Sequence, residues 1–343
     1  MLNIGLIGFG KSTTRYHLPY LLLRKETVNV KKIYSRSKKP ELESAYESHR
    51  IEFTQQLDDI LTDETINLVS ICTPPSTHFS LAKLCLENNK HVVVEKPFAN
   101  TTEEARQLFE LANEKGLTIM PFQNRRFDSD FLSLKKVLER GYIGEPIELE
   151  SHFDYYRPDK SHSPGDFYEG AFYGLGVHLL DQVISLFGKP EKLYYDLRSL
   201  RNKNNPEDYY HVELFYGNFK AILKTSHLVS KPYPKFILHG TGGSYVKHGI
   251  DKQEEHLKAG LSPSVEGFGV DPIENYGVVY TADQKDGGLP IETPNGDYGR
   301  VYDHLYEVIV EGEEKQITDE QVLTVIEILE KGIQGENPKV ISL

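Results

Sequence analysis

The sequence predicts a two-part α/β chain. A doubly wound parallel sheet occupies residues 1–122, and an α+β part with a large, mostly antiparallel open sheet occupies residues 123–343. Three observations predict it. Short β-branched runs alternate with amphipathic stretches as far as Phe122, the signature of parallel strands joined by crossover helices. Strand-like segments then follow one another without helices through 192–245, which indicates antiparallel pairing. A glycine turn, with Gly8 and Gly10 flanking Phe9, comes directly after the first apolar run, at the sheet edge where open α/β folds bind ligands.

The elements follow in order. Leu2–Ile7 is the first strand, and a helical stretch at 15–24 leads to the second, Val28–Tyr34. A helical stretch at 40–47 precedes a strand at 68–72, a helix at 76–87 and the strand His91–Val94. A helix at 102–115 ends at Lys115 and Gly116, which read as a C-cap because glycine enters the left-handed region freely, and a strand at 117–121 follows. Beyond Phe122 a helix near 128–140 stops at Gly141, and a long strand runs through 146–156. A loop rich in proline, serine and glycine extends to Gly170. Turns around Gly217 and at 240–243 punctuate the strand-rich stretch. Residues 251–296 read as irregular, and helices at about 298–310 and 319–331 close the chain.

Bulk properties exclude several classes. A length of 343 residues suits two domains, and 38% apolar with 26% charged residues excludes disordered and collagen-like chains. The net charge is −12 and no long Lys/Arg cluster occurs, which argues against a nucleic-acid or anionic-membrane partner. Cys72 and Cys85 lie in apolar segments and imply no disulfide framework. The first strand begins at once, which leaves no room for a signal peptide, and no apolar run approaches membrane-spanning length; a cytoplasmic location is expected.

The stretch from Val92 to Pro97 carries chemistry. An apolar run delivers Glu95, Lys96 and Pro97 at the carboxyl end of a buried strand, where no core needs a charge. Residues 5–12 match a Walker A pattern, but only Met1 to Ile4 precede Gly5, too short for a central strand. The dinucleotide reading makes Gly8 and Gly10 the first two glycines of the phosphate turn, with Thr13 at the third position. The second strand leads into Ser35, Arg36, Ser37, Lys38 and Lys39, with no carboxylate before Glu41. That basic, hydroxyl-rich end suits a 2′-phosphate, so NADP(H) is favoured with NAD(H) the alternative; a solvated basic turn is the bland reading.

With the glycine turn, Thr73–Pro74–Pro75 and Glu95–Lys96–Pro97 in register, the chain resembles the Gfo/Idh/MocA oxidoreductases. The likeness continues through the Asn124 to Phe127 segment, 141–146 and 176–181, and is strongest to a bacterial branch with Phe172 to His178 as it stands here. The resemblance implies a Rossmann domain over 1–122 and a substrate-binding and oligomerisation domain over 123–343. It implies that Lys96 and His178 are catalytic, and that a cis peptide precedes Pro97. The cofactor set expected is Gly8, Phe9, Gly10, Ser12, Thr13, Ser35, Arg36, Thr73, Pro74, His78, Glu95, Lys96 and Arg125. The substrate set is Lys96, Asn124, Tyr156, His178 and Tyr298, and no metal is expected. Many members carry an aspartate where this chain has Gly174, one turn before the histidine. Asp181 is either a partial substitute or a helix anchor. The remaining histidines of the thirteen read as loop and surface residues.

Three functions stand at this point. The first is a nicotinamide-dependent oxidoreductase acting on the CH–OH group of a sugar, cyclitol or related compound, in a homodimer or homotetramer. The second is a cofactor-binding sensor or regulatory protein with impaired catalysis, which Gly174 favours and Lys96 and His178 oppose. The third, remote, is a P-loop nucleotidase.

Overall fold

The computed structural model describes residues 1–159, 167–283 and 287–343; part of the expected loop, 160–166, and residues 284–286 lie outside the described residues. The chain forms two compact units. The first comprises Met1–Asn124, Glu255–Phe268 and Tyr298–Ile326, and the second Arg125–Glu254, Gly269–Asp297 and Glu327–Leu343.

In the first unit six strands pair in parallel: β1 (Leu2–Ile7), β2 (Val28–Tyr34), β3 (Glu52–Thr54), β4 (Leu68–Ile71), β5 (His91–Val94) and β6 (Ile119–Pro121). Their order is β3-β2-β1-β4-β5-β6, so the winding direction reverses between β1 and β4. The central strands are buried on both faces, which is why β5 reads as an apolar run after His91 and β4 is apolar except for the buried Ser70. Gly5 sits inside β1, where a Cβ would press on Ile60 at 2.8 Å. The residue that opened the Walker-like match is therefore strand, not loop. The helix Thr102–Glu114 begins with Thr101 accepting the N–H of Glu104 and ends before Gly116 at φ +64, as the capping signals predict.

The second unit is built on nine strands: β7 (Pro146–His152), β8 (Lys192–Arg198), β9 (Tyr209–Tyr216), β10 (Phe219–Ser226), β11 (Phe236–Gly240), β12 (Gly243–Lys247), β13 (Gly277–Thr281), β14 (Leu289–Ile291) and β15 (Lys339–Ser342). The order is β14-β13-β12-β11-β7-β10-β9-β8-β15, antiparallel except for the β7–β10 pair. One face buries Leu149, Leu214, Leu223, Leu238 and Tyr245. On the other, Lys220 lies 3.3 Å from Glu148 and 3.4 Å from Glu213, so cross-strand ion pairs alternate with apolar positions.

Three sequence expectations change, the first being the strand β3, which the sequence did not indicate. The stretch read as irregular holds the helix Gln253–Lys258 together with β13 and β14. These elements are too short to show a period through their glycines. The expected strand at 146–156 stops at His152, and Tyr156 makes only an isolated bridge to Leu228.

Candidate functional site

The turn after β1 explains the first glycine. Gly8 has φ +107, and a Cβ there would lie 2.5 Å from the Cys72 carbonyl oxygen. Only glycine fits. Gly10 differs: its missing Cβ would meet nothing within 4 Å, so no part of the chain forces a glycine there. A cleft of about 600 Å³ opens over this turn at the switch point. Its walls include Gly8, Phe9, Gly10, Ser35, Arg36, Thr73 and Pro74, which the sequence placed together. Lys39, the last residue of the basic run after β2, joins them: its ammonium donates to the Phe9 carbonyl and lies 5.9 Å from the Phe9 ring centre.

Other expected cofactor residues lie behind the cleft wall rather than on it. Thr13 is fully buried and donates its hydroxyl to the Gly8 carbonyl at 2.7 Å, bracing the turn from within. His78 is buried with Nδ1 2.8 Å from the Pro97 carbonyl and Nε2 2.9 Å from that of Thr73. It ties the loop after β4 to the Lys96–Pro97 corner, whose peptide is cis. Burial pushes its pKa down, while the Pro97 and Thr73 carbonyls, both acceptors, work against that shift.

Beneath the Lys96 corner lies a buried polar chain. Ser12 donates to Glu95 Oε1, which lies 3.0 Å from His17 Nε2, while Glu95 Oε2 accepts the Lys96 N–H at 3.0 Å. His17 Nδ1 is 2.6 Å from the Tyr302 hydroxyl, and that hydroxyl is 3.1 Å from Ser70 Oγ in the centre of β4. Burial alone opposes a charge on His17. The Cys72 thiol, the Tyr302 hydroxyl and the Glu95 carboxylate outweigh it and hold the imidazole well above its ordinary value. Burial also opposes charge on Glu95, but the hydrogen bond and charge of His17, with Lys96 and Ser12, bring its carboxyl down to about 2. The pair is an imidazolium and a carboxylate. His17 is thus no loop or surface residue, as its place in the sequence suggested, but the buried counter-charge of the lysine corner.

This pair has a pH signature. Glu95, depressed when folded, contributes stability above its ordinary 4.5 and loses it as pH falls toward about 2. His17, raised when folded, contributes fully below its ordinary 6.5 and loses its contribution as pH rises through the folded value. Removing one partner of a buried pair costs about 3–5 kcal/mol. His17→Ala is therefore expected to lower the urea midpoint strongly near pH 6, with the deficit shrinking toward pH 3. A deficit independent of pH would show that no ion pair exists.

In the second unit, His178 lies one residue into the helix Val177–Phe187 and is 4% exposed. The wider π-turn Phe172–Gly176 precedes it. At Gly174 a Cβ would meet nothing within 4 Å, so the missing carboxylate leaves open space. Asp181 does not fill that role: its two oxygens take Arg126 Nε and Nη2, each at 2.8 Å, which anchors the helix. Arg125 has its guanidinium 3.1 Å from Asp128, against Glu254, and 4.7 Å above the Phe153 ring. These contacts all lie within the second unit. Asn124 is buried and Tyr156 is exposed. Tyr298 is fully buried with Tyr20 and Leu257 in the first unit's core, so its ring is a packing element rather than a substrate contact.

The model of an oxidoreductase family's NAD-binding Rossmann fold matches residues 2–123, and that of the same family's C-terminal alpha/beta domain matches 135–340. The uncharacterized oxidoreductase YhhX of Escherichia coli is 51% identical over 100% of this chain and 99% of its own. The scyllo-inositol 2-dehydrogenase (NADP(+)) IolW of Bacillus subtilis is 32% identical over 98% of this chain and 94% of its own. A crystal structure of an oxidoreductase from Bacillus cereus, 47% identical, superposes with a TM-score of 0.96 over 100% of this chain and 99% of that one.

Proposed function

The chain belongs to the Gfo/Idh/MocA oxidoreductase family, and we propose that this member interconverts the CH–OH and carbonyl forms of a sugar, cyclitol or related polyol with NADP(H). One observation carries the cofactor part. The cleft at the switch point is floored by Gly10, whose absent side chain leaves room for a pyrophosphate where the chain itself requires no glycine. Gly8 turns the backbone, and Thr73 and Pro74 form the opposite wall. Arg36 and Lys39, lining the cleft beyond the end of β2, are the groups to receive a 2′-phosphate.

The nicotinamide, when bound, supplies or accepts the hydride. The rest falls to side chains. Lys96, on the corner held by Glu95 and His17, stabilises negative charge on the substrate oxygen. His178 takes up or returns the hydroxyl proton. Asn124 and Tyr156 belong to the substrate's surroundings. The name of the relative IolW, an NADP-dependent inositol dehydrogenase, points to the same substrate class.

Nicotinamide absorbance followed on a panel of sugars, cyclitols and their keto forms tests the reaction. For the cofactor, a charge-assisted phosphate contact contributes about 1.5–3 kcal/mol, so NADPH is expected to bind roughly tenfold to a hundredfold tighter than NADH. A dissociation constant for NADH equal to or below that for NADPH would refute the preference. A chain that binds NADPH but turns over nothing on the panel would favour the sensor reading.

A further inference from the structure

The second unit holds a cavity of about 290 Å³ that the cofactor site does not use. Its walls bring together Arg157, Glu207, His227 and the helix start at Gly174. The Arg157 guanidinium lies 3.7 Å above the ring centre of Tyr155, which orients its planar fork. Arg201 holds the same loop, with Nη1 donating to the Arg157 carbonyl at 2.8 Å, Nη2 2.9 Å from His227 Nδ1 and Nε donating to Asp208 at 2.6 Å.

Glu207 is the unusual member. It is 7% exposed, and its Oε1 accepts the N–H of Phe172 at 3.0 Å, at the first turn leading to His178. Gly170 permits this approach, since a Cβ there would lie 2.1 Å from the Glu207 carboxyl. Burial pushes its pKa up to about 7, with the backbone bond from Phe172 opposing. A buried carboxyl thus faces the same small space as a stacked guanidinium. Gly174 lends no side chain to fill that space.

A ligand of either charge would meet a like charge on one wall. Hydroxyl groups satisfy both walls at once, because each donates one hydrogen bond and accepts others. The volume sits at the lower end for ligand pockets and suits one ring rather than two. We infer that this cavity is a polyol subsite in which Arg157 and Glu207 bind adjacent hydroxyls of a monosaccharide or cyclitol and so select the substrate. The inference rests on the polyol reading of the function and names the residues that would enforce it.

Binding of D-glucose, D-galactose, D-mannose and myo-inositol to the full-length chain, by ligand-observed saturation-transfer NMR and calorimetry, tests it directly. The wild type is expected to bind at least one of them. Arg157→Met and Glu207→Gln are each expected to weaken that ligand by about 10–100-fold, the loss of one hydrogen bond to a charged group. Gly174→Leu, which fills the cavity, should abolish binding. NADPH affinity, measured in parallel, is expected to stay unchanged, and circular dichroism with thermal melts reports that each variant is folded; should Gly174→Leu misfold, the isosteric Glu207→Gln decides. No binding by the wild type, or unchanged affinity in Arg157→Met and Glu207→Gln, overturns the subsite. A wild type that oxidises a polyol with a KM unmoved by these variants overturns the subsite and keeps the function. Binding that depends on these residues, without hydride transfer, does the reverse.

Discussion

Lys96→Ala is expected to abolish turnover while leaving most of the dinucleotide affinity intact. The prediction separates two kinds of contact. The glycine turn, Thr73 and Pro74 line the cleft whether or not position 96 carries an amine, so cofactor binding has other support. Charge developing on the substrate oxygen has none to spare. Loss of a single preorganised donor at such an atom typically costs about 10²–10³ in rate, and loss of a full positive charge costs more. Rates measured with saturating NADPH, beside NADPH dissociation constants from fluorescence titration, check both halves. A Lys96→Ala enzyme retaining more than about a tenth of the wild-type rate would remove Lys96 from the chemistry. Lys96→Arg is a useful companion, since it keeps the charge but changes its reach.

His178→Ala is the second large effect, a drop in turnover of about 10²–10⁴-fold, the range for a lost general acid–base. Asp181 is committed to Arg126 and Gly174 has no side chain, so neither position supplies a substitute base. The helix should survive the change, because alanine favours helix and Arg126–Asp181 still anchors it. The pH–rate profile distinguishes the roles. A general acid–base takes one limb of the profile away with it, whereas a packing residue lowers the rate evenly across pH. If His178→Ala keeps both rate and profile, the hydroxyl proton leaves by another route.

Much of the first unit was legible because its signals are local. A glycine turn after an apolar run, alternation of strand and helix, and charges placed just past a buried strand each occupy a few consecutive residues. All five strands read this way belong to the sheet, while the three-residue edge strand β3 carries no such local signal. What escaped depends on partners far apart in the chain. His17 and Glu95 are separated by 78 residues, and His17 and Tyr302 by 285, so nothing beside His17 in the sequence announces a buried imidazolium. Arg125 looked like a ligand-facing cation beside Asn124, but its acid partner Glu254 lies 129 residues on. Tyr298 looked like a cleft residue for the opposite reason. Its neighbours Tyr20 and Leu257 come from other parts of the chain, and a tyrosine before a helix carries no mark of burial. At Gly174 the absence of a carboxylate is visible in the sequence without any partner, and the structure leaves open space there.

The late segments of the first unit also set a timetable for the nascent chain. Residues 1–124 leave the ribosome with the dinucleotide cleft's own residues complete but without Leu257, Tyr298 and Tyr302. Until residue 302 has been made, His17 and Ser70 lack the Tyr302 hydroxyl. At roughly 5–20 residues per second, the roughly 200 intervening residues take about 10–40 s to synthesise. The cleft-bearing half therefore completes its buried polar chain only late in translation, and cut from the chain at residue 124 it would keep the His17–Glu95 pair but lose the Tyr302 hydroxyl that His17 and Ser70 share.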